Sequence, residues 1–319
     1  SLISGPSSLQ LSGSYGKRMD LSWRVDSPDL RSLLPDAAGR LAGEGHLGGT
    51  LDAPLGRAEV RGSDLRYRAE RLSQLQLNAA IDLSAATRSR VRLKLGSGLI
   101  QGISVDKLEL TADGTPRQHR VGLSADTSLV EGQLKAQGNW TDNIWHFDLQ
   151  EAELGHAGFA PWTLGSPFHG QLGMDKLAAD PSCWYSGGAR LCLNAALTAG
   201  KSRAQVELRD LPLGYFASLL PANIGAEGTL ELNGEMRQEE GQAATARLRL
   251  DSHALALVFP AEADRPEFRV QALDAWLSLN AGGDRARLDG AMQLDNNAQL
   301  KVEASVSGTE QEFLSRTLN

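Results

Sequence analysis

Aromatic residues make up only 5% of this 319-residue chain, and long apolar runs are missing from it. A membrane-spanning helix needs roughly 18 to 20 consecutive apolar residues, whereas the apolar stretch from Ala254 to Pro260 is far shorter. The 32 Lys and Arg residues are interspersed among 39 Asp and Glu residues and form no basic cluster of the kind that binds a phosphate backbone. The sequence therefore predicts neither a transmembrane segment nor a nucleic-acid partner.

Catalytic motifs are also missing. The six histidines are scattered without metal-ligand spacing, and no Gly-x-Ser-x-Gly elbow, P-loop or His-Glu-x-x-His motif occurs. Gly43-Glu44-Gly45-His46-Leu47-Gly48 matches the dinucleotide fingerprint in form, but the alternation of a strand continues through it where that motif must turn into a helix. We therefore predict that the chain is not an enzyme and has no catalytic residue, no metal site and no cofactor.

Alternation of apolar and polar residues recurs along most of the chain, as is typical of β-strands with one apolar face. It is clear at Val91, Leu93 and Leu95, and again from Ala286 to Leu294. Turn-forming clusters such as Ala112–Pro116 separate these segments at the spacing of consecutive strands. The pattern predicts a mostly β fold in which sequential strands pair antiparallel, with a few short helices.

Two segments have helical spacing instead. In Ser27–Pro35, Ser27 or Asp26 would cap a short helix with Pro28 at its first position. Asp210–Pro221 resembles it: both segments end in Leu-Leu-Pro and precede a strand rich in glycine and leucine. We interpret them as starting two copies of an internal repeat, residues 26–209 and 210–319, within one continuous β region over residues 1–319.

The two cysteines, Cys183 and Cys192, flank a predicted β-hairpin in which Gly187-Gly188 supplies a type I′ turn. Counting outward from the turn places Cys183 opposite Cys192 in a non-hydrogen-bonded pair, with Cα atoms about 4.5 Å apart. The other predicted pairs are Trp184 with Leu191, Tyr185 with Arg190, and Ser186 with Ala189. We predict a disulfide. Two separate buried thiols are the alternative, and a zinc site is less favoured because no histidines stand at ligand spacing.

A disulfide requires an oxidising compartment, so this prediction indicates a bacterial periplasm or a secretory lumen. The first residues, Ser1 to Pro6, have neither the basic nor the apolar region of a signal peptide. We therefore expect any export signal to lie upstream of this chain.

The strand expected over residues 39–51 has an unusual composition. Its odd positions are only glycine and leucine, from Gly39 to Leu51, while its even positions include Arg40, Glu44 and His46. Glycines on an apolar face leave room beside the sheet where a packed core would have β-branched side chains. Two interpretations stay open: a bent sheet packed on a helix or a second sheet, and a curved sheet whose inner face is open to acyl chains.

Several passages, taken in order, resemble the TamB family, the inner-membrane-anchored subunit of the translocation and assembly module. They span roughly residues 26 to 235 and comprise Pro28 to Pro35, Gly39 to Leu51 with Ala53-Pro54, Leu65-Arg66-Tyr67, Gly114-Thr115-Pro116 with His119, Ala160-Pro161-Trp162, Cys183 with Leu191-Cys192-Leu193, and Leu211 to Pro221.

The resemblance implies a β-taco, an elongated sheet curled into a hydrophobic groove, as in AsmA-like and bridge-type lipid-transfer proteins. It implies a periplasmic conduit for phospholipid between inner and outer membranes, in a protein anchored in the inner membrane. It also implies TamA, an outer-membrane barrel of the BamA family, as a partner in barrel and autotransporter assembly. We expect the chain to be an internal piece without the family's anchor helix or barrel-contacting domain.

Within this resemblance, the residues predicted to line a lipid groove are the apolar positions of the alternating strands. They are Leu41, Leu47, Leu51, Leu93, Leu95, Leu230, Leu232, Leu248, Leu250, Met292 and Leu294. The alternative function is a scaffold that assists insertion of outer-membrane proteins by pairing an exposed sheet edge with client strands. A third class, an enzyme or a sugar-binding sandwich, would need a convergent polar cluster that the sequence does not show.

Overall fold

A computed structural model describes residues 1–50, 53–84, 87–156, 159–219, 224–259, 268–282, 285–294 and 299–307. Within these ranges the chain forms 22 β-strands and two short 3₁₀ helices, and sequential strands pair antiparallel. The expected mostly β, antiparallel fold with a few short helices is therefore confirmed. The chain divides into two compact units, residues 1–163 and 164–319.

Unit 1 is an antiparallel meander in which each strand pairs with the next, except that β7 and β8 together occupy one position between β6 and β9. Its strands are β1 (Leu2–Ser4), β2 (Ser7–Ser14), β3 (Met19–Ser27), β4 (Ala37–Gly49), β5 (Pro54–Tyr67), β6 (Glu70–Asp82), β7 (Ser89–Leu95), β8 (Gly98–Ile100), β9 (Ile103–Thr115), β10 (Gln118–Thr127), β11 (Glu131–Thr141) and β12 (Ile144–Gly155). The short strand β13 (Trp162–Leu164) pairs with β12.

Unit 2 continues the same sequential pattern from β14 to β22. Its strands are β14 (Phe168–Leu172), β15 (Leu177–Ser186), β16 (Ala189–Thr198), β17 (Lys201–Pro212), β18 (Gly225–Gln238), β19 (Thr245–Phe259), β20 (Phe268–Gly282), β21 (Arg285–Leu294) and β22 (Gln299–Ser307).

Few hydrophobic side chains are buried in the described part of either unit. Among the described residues, the buried hydrophobic ones are five alanines with Val105 and Leu211, whereas large side chains such as Leu47 and Leu248 are 45% and 38% exposed. The strands make their contacts mainly with their neighbours in the sheet. Backbone hydrogen bonding and contacts along each face therefore stabilise the units, with little burial between layers.

The first predicted helix is a single 3₁₀ turn, Leu30–Ser32. Its cap is Asp29, whose carboxylate accepts a hydrogen bond from the Arg31 amide at 3.2 Å, so the expected cap at Ser27 or Asp26 is wrong. Ser27 instead ends β3, and its buried hydroxyl lies 2.8 Å from that of Ser7. A side chain committed to this cross-strand bond is not free to cap the helix.

The second predicted helix is also of 3₁₀ type and runs Leu213–Leu219. It begins later than expected because Asp210 to Pro212 still belong to β17. The expected end, Pro221, lies outside the described residues.

The strand expected over residues 39–51 is β4, which begins and ends two residues earlier, at Ala37 and Gly49. The pairing of β4 with β5 leaves out Gly39, which has a φ of +103°, because two residues of β5, Asp64 and Leu65, form a bulge opposite it, and regular pairing resumes at Arg40. At the other end β4 stops at Gly49, which has a φ of +85°, and the Thr50 amide donates to the Ala53 carbonyl at 3.3 Å. Leu51 lies outside the described residues.

The cysteine hairpin has the predicted register. Cys183 pairs with Cys192, and the three pairs between them and the turn are those obtained by counting. Of the two turn glycines only Gly187 has a positive φ, +56°, which is the pattern of a type II′ turn, so the expected type I′ turn is wrong. Both types close a two-residue hairpin, which is why the register is the same.

Candidate functional site

An apolar face runs across unit 1 from strand to strand. The register places one apolar or glycine residue of each strand in a single row: Leu9, Val25, Gly43, Val60, Leu77, Leu93, Leu110, Leu123, Leu134 and Ala152. Residues two positions away in each strand lie on the same face because side chains alternate. The rows together form a continuous apolar surface, which we call the apolar face of unit 1.

The side chains of this face are half-buried. In β3 and β7 every apolar position is partly covered, whereas the polar positions between them are exposed. Leu93, for example, lies between Leu77 on one side and Leu110 on the other. Contacts between neighbouring strands cover the flanks of these side chains, and their ends remain accessible to an apolar ligand.

The glycines of β4 do not leave empty space above the sheet. A β-carbon at Gly45 would lie 2.5 Å from ring atoms of Trp23 and 2.6 Å from the Arg57 carbonyl oxygen, and one at Gly43 would lie 3.1 Å from a methyl group of Val60. The expectation that these glycines keep the face open is wrong here. Glycine is required instead because neighbouring side chains and backbone approach closely.

Unit 2 has an apolar face of its own. One row consists of Trp184, Leu191, Leu208, Leu232, Leu250, Leu277, Gly290 and Val302. The adjacent row consists of Leu193, Val206, Gly234, Leu248, Leu279, Leu288 and Ala304. Leu277 and Leu279 are 38% and 36% exposed, so this face is also accessible.

The predicted lipid-groove residues lie on these faces wherever their side chains are described. Leu41, Leu47, Leu93 and Leu95 belong to the apolar face of unit 1. Leu230, Leu232, Leu248, Leu250 and Met292 belong to that of unit 2. Leu51 and the side chain of Leu294 lie outside the described part of the chain.

Sequence reasoning missed other members of the two faces. The omitted residues include Trp23, Val60, Leu77, Leu110, Leu123, Leu134, Leu191, Leu208, Leu277, Leu279 and Leu288. Most stand in alternating segments, so the same period of two could have found them. What the period alone does not provide is the pairing that places all of them in common rows.

The opposite face of each unit is polar and charge-paired. On unit 1, Arg24 lies 2.6 Å from Glu44, and Lys94 lies 3.0 Å from Glu109. The pKa of Glu109 lies below its ordinary value mainly because Lys94 donates a hydrogen bond to its carboxylate. The charged groups of these pairs lie on the face opposite the apolar one because side chains in a strand alternate.

Two cavities open on the polar faces. One of about 600 Å³ on unit 1 is lined by residues that include Arg24, Glu44 and His46. The other, about 710 Å³ on unit 2, is lined by Cys183, Cys192 and Arg190 among others. Polar residues form most of each lining, and the second lining also includes Leu193, Val206, Gly234 and Leu248 of an apolar row.

The described residues include neither a metal-binding cluster nor a membrane-spanning helix. No group of three or more His, Cys, Asp or Glu side chains is placed to hold a metal ion in the described part of the chain. Within the same residues, no helix has the length and apolar composition needed to cross a membrane.

Comparison with known proteins identifies the family of this chain. The family described as "TamB, N-terminal domain" matches residues 1–319. A protein of Haemophilus influenzae named "Translocation and assembly module subunit TamB" is 20% identical over 240 residues, which cover 73% of this chain and 18% of the relative. No solved structure matches. Because the family match extends over the whole chain, this protein belongs to the TamB family.

Proposed function

We propose that this chain is part of a periplasmic conduit that carries phospholipid between the inner and outer membranes and so supports outer-membrane biogenesis. The observation that carries the proposal is the continuous row of apolar side chains from Leu9 to Ala152 across unit 1, matched by the rows of unit 2. Such a surface suits acyl chains, which have no polar group to recognise.

The energetics favour sliding over tight binding. Each methylene that leaves water for an apolar surface contributes about 0.8 kcal/mol. Because the rows repeat nearly the same leucine contacts from strand to strand, an acyl chain exchanges one set for an equivalent one as it moves. The phosphate head group stays in water at the edge of the face, where no desolvation of charge is needed.

The wider assembly is proposed from the family. The Haemophilus influenzae relative is named as a subunit of the translocation and assembly module. We propose that the full protein, anchored in the inner membrane, works there with TamA, a BamA-family barrel, in assembly of barrels and autotransporters, through parts outside this chain. The Cys183–Cys192 disulfide supports a periplasmic location because such bonds persist in oxidising compartments.

The alternative is a scaffold that assists insertion of outer-membrane proteins by β-augmentation. One observation favours it: among the described strands, β22 pairs on one side only, with β21, and every residue of β22 is exposed. A client strand could add to that edge through backbone hydrogen bonds. The conduit and the scaffold differ in what they contact, since a conduit uses alternate side chains and a scaffold uses one edge.

Photo-crosslinking in cells separates these functions. A photoreactive residue is placed in the full-length protein at Leu93 and Leu95, with Arg92 and Lys94 as matched controls on the polar face of the same strand. The conduit predicts lipid adducts at the two leucines and none at the two controls. Lipid adducts without alternation would contradict it, and polypeptide adducts confined to positions in β22 would support the scaffold.

A further inference from the structure

The disulfide lies on the polar face of unit 2, in an accessible place. Cys192 alternates with Leu191 and Leu193 of the apolar face and pairs with Glu207 on the next strand. Both cysteines are half-buried and line the cavity of about 710 Å³. A small thiol, or the tip of a larger one, can therefore approach the sulfur atoms through this cavity.

Arg190 stands beside the disulfide without a counter-charge. Its Nη2 lies 3.5 Å from Cys183 Sγ, and its buried Nε has no hydrogen-bond acceptor. Among the described residues Arg190 forms no ion pair, whereas at least five other arginines of this sheet do. The paired residues are Arg209 with Glu207, Arg237 and Arg247 with Glu235, Arg249 with Asp251, and Arg287 with Asp289.

A thiolate at Cys183 would give Arg190 the missing counter-charge. A disulfide sulfur is neutral and a weak acceptor, whereas a thiolate carries a full negative charge. Cationic neighbours favour the thiolate over the thiol, and a sulfur that is stable as a thiolate is the better leaving group in thiol–disulfide exchange. The position of Arg190 therefore distinguishes the two sulfur atoms of this bond.

We infer that Cys183–Cys192 is a thiol–disulfide exchange site with a dithiol as its co-reactant. Arg190 is a positioning residue whose positive charge stabilises the Cys183 thiolate. A thiolate of the dithiol attacks Cys192 Sγ, the disulfide breaks, and Cys183 leaves as a thiolate beside Arg190. The second thiol of the dithiol then attacks its own sulfur in the mixed disulfide and releases Cys192. The cysteines gain two electrons, the dithiol becomes a disulfide, and its two protons are released to water or to the new thiolates.

The strands of the hairpin remain paired when the disulfide is reduced. β15 and β16 are joined by eight registered pairs, including three between the disulfide and the turn, and β16 pairs with β17 over nine residues. Ladder hydrogen bonds hold the strands in place when the covalent bond opens. The site can therefore be reduced in the folded protein.

The test uses the intact chain in mixtures of reduced and oxidised dithiothreitol at neutral pH. The reduced fraction is trapped with a maleimide, and circular dichroism confirms that the β structure is kept. We expect Arg190→Gln to raise, by about tenfold, the ratio of reduced to oxidised dithiothreitol at which half of the protein is reduced. Arg190→Lys should bring that ratio most of the way back to the wild-type value. Arg203→Gln is the matched control, because Arg203 of β17 lies on the same polar face as the disulfide but pairs with Ala196 of β16.

A second measurement on the wild type identifies the sulfur that Arg190 favours. The reduced protein is labelled with a limiting amount of iodoacetamide, and mass spectrometry determines which cysteine carries the label. We expect labelling mainly at Cys183, with the preference lost in Arg190→Gln. Equal labelling of both cysteines, an unchanged midpoint in Arg190→Gln, or reduction only after the protein unfolds would overturn the inference.

Discussion

The indole ring of Trp23 lies over Gly45, its partner across β3 and β4, so closely that a β-carbon on residue 45 would be 2.5 Å from the ring. The Arg57 carbonyl oxygen crowds the same position at 2.6 Å. The glycine is therefore a packing requirement of the apolar face of unit 1.

Gly45→Ala is expected to destabilise unit 1 by about 1–3 kcal/mol, because the methyl group forces the ring and the backbone apart. Denaturant unfolding measures the loss. Gly56→Ala is the matched control on the same face, since its nearest contact would be Leu47 Cδ2 at an ordinary 3.6 Å. An alanine there is expected to be neutral or slightly stabilising. Equal behaviour of the two variants would contradict this account.

Leu93→Gln is expected to weaken binding of a fluorescent fatty acid by about threefold to tenfold, because it replaces apolar contact surface in the middle of a leucine row. Arg92→Gln introduces the same side chain one residue away on the opposite face and should leave the affinity unchanged. A fluorescence titration compares them. If both variants bind equally well, the fatty acid does not use the apolar face.

Asp82 is expected to make the stability of unit 1 depend on pH in the acid range. Hydrogen bonds to its carboxylate, first from the Ser84 hydroxyl and then from the Thr87 hydroxyl, hold the pKa of Asp82 below its ordinary value of 3.8. The unfolded chain therefore binds the proton more readily. The stabilisation is present above 3.8 and is lost as the pH falls through the lower pKa of the folded state.

Unfolding measured at a series of acid pH values tests this linkage. Asp82→Asn should be less stable than the wild type at neutral pH and should lose less stability on acidification. Ser84→Ala removes the hydrogen bond that lowers the pKa of Asp82 most, so its loss of stability on acidification should lie between those of the wild type and Asp82→Asn. Identical pH profiles for the wild type and Asp82→Asn would show that this carboxylate is not responsible.

Replacement of both cysteines by serine is expected to lower the stability of unit 2 by about 2–3 kcal/mol. The disulfide joins residues that are nine positions apart, and closing this loop reduces the conformational entropy of the unfolded chain. Thermal unfolding with and without reductant measures the effect. Reductant should bring the wild type to the level of the double variant and leave the variant unchanged. A wild type insensitive to reductant would mean that the ladder alone sets the stability of the hairpin.

The cysteine hairpin shows how far counting along the chain reaches. Its register followed from the turn position alone, because a two-residue turn allows one pairing and each step outward adds one pair. The face of Leu41 and Leu93 followed from alternation in the same way. Counting failed at Gly39, where β5 bulges opposite β4, and at Ser27, whose hydroxyl is hydrogen-bonded to that of Ser7.

The sequence by itself determined which residues share a face within each regular stretch of strand, since side chains there alternate with a period of two. It also determined the pairing of Cys183 with Cys192. Only the tertiary structure decided what stands beside each residue: Trp23 over Gly45, the unpaired Arg190 next to Cys183, and the alignment of single leucines into rows. These contacts join different strands, and their geometry depends on the register, bulges and twist of the whole sheet.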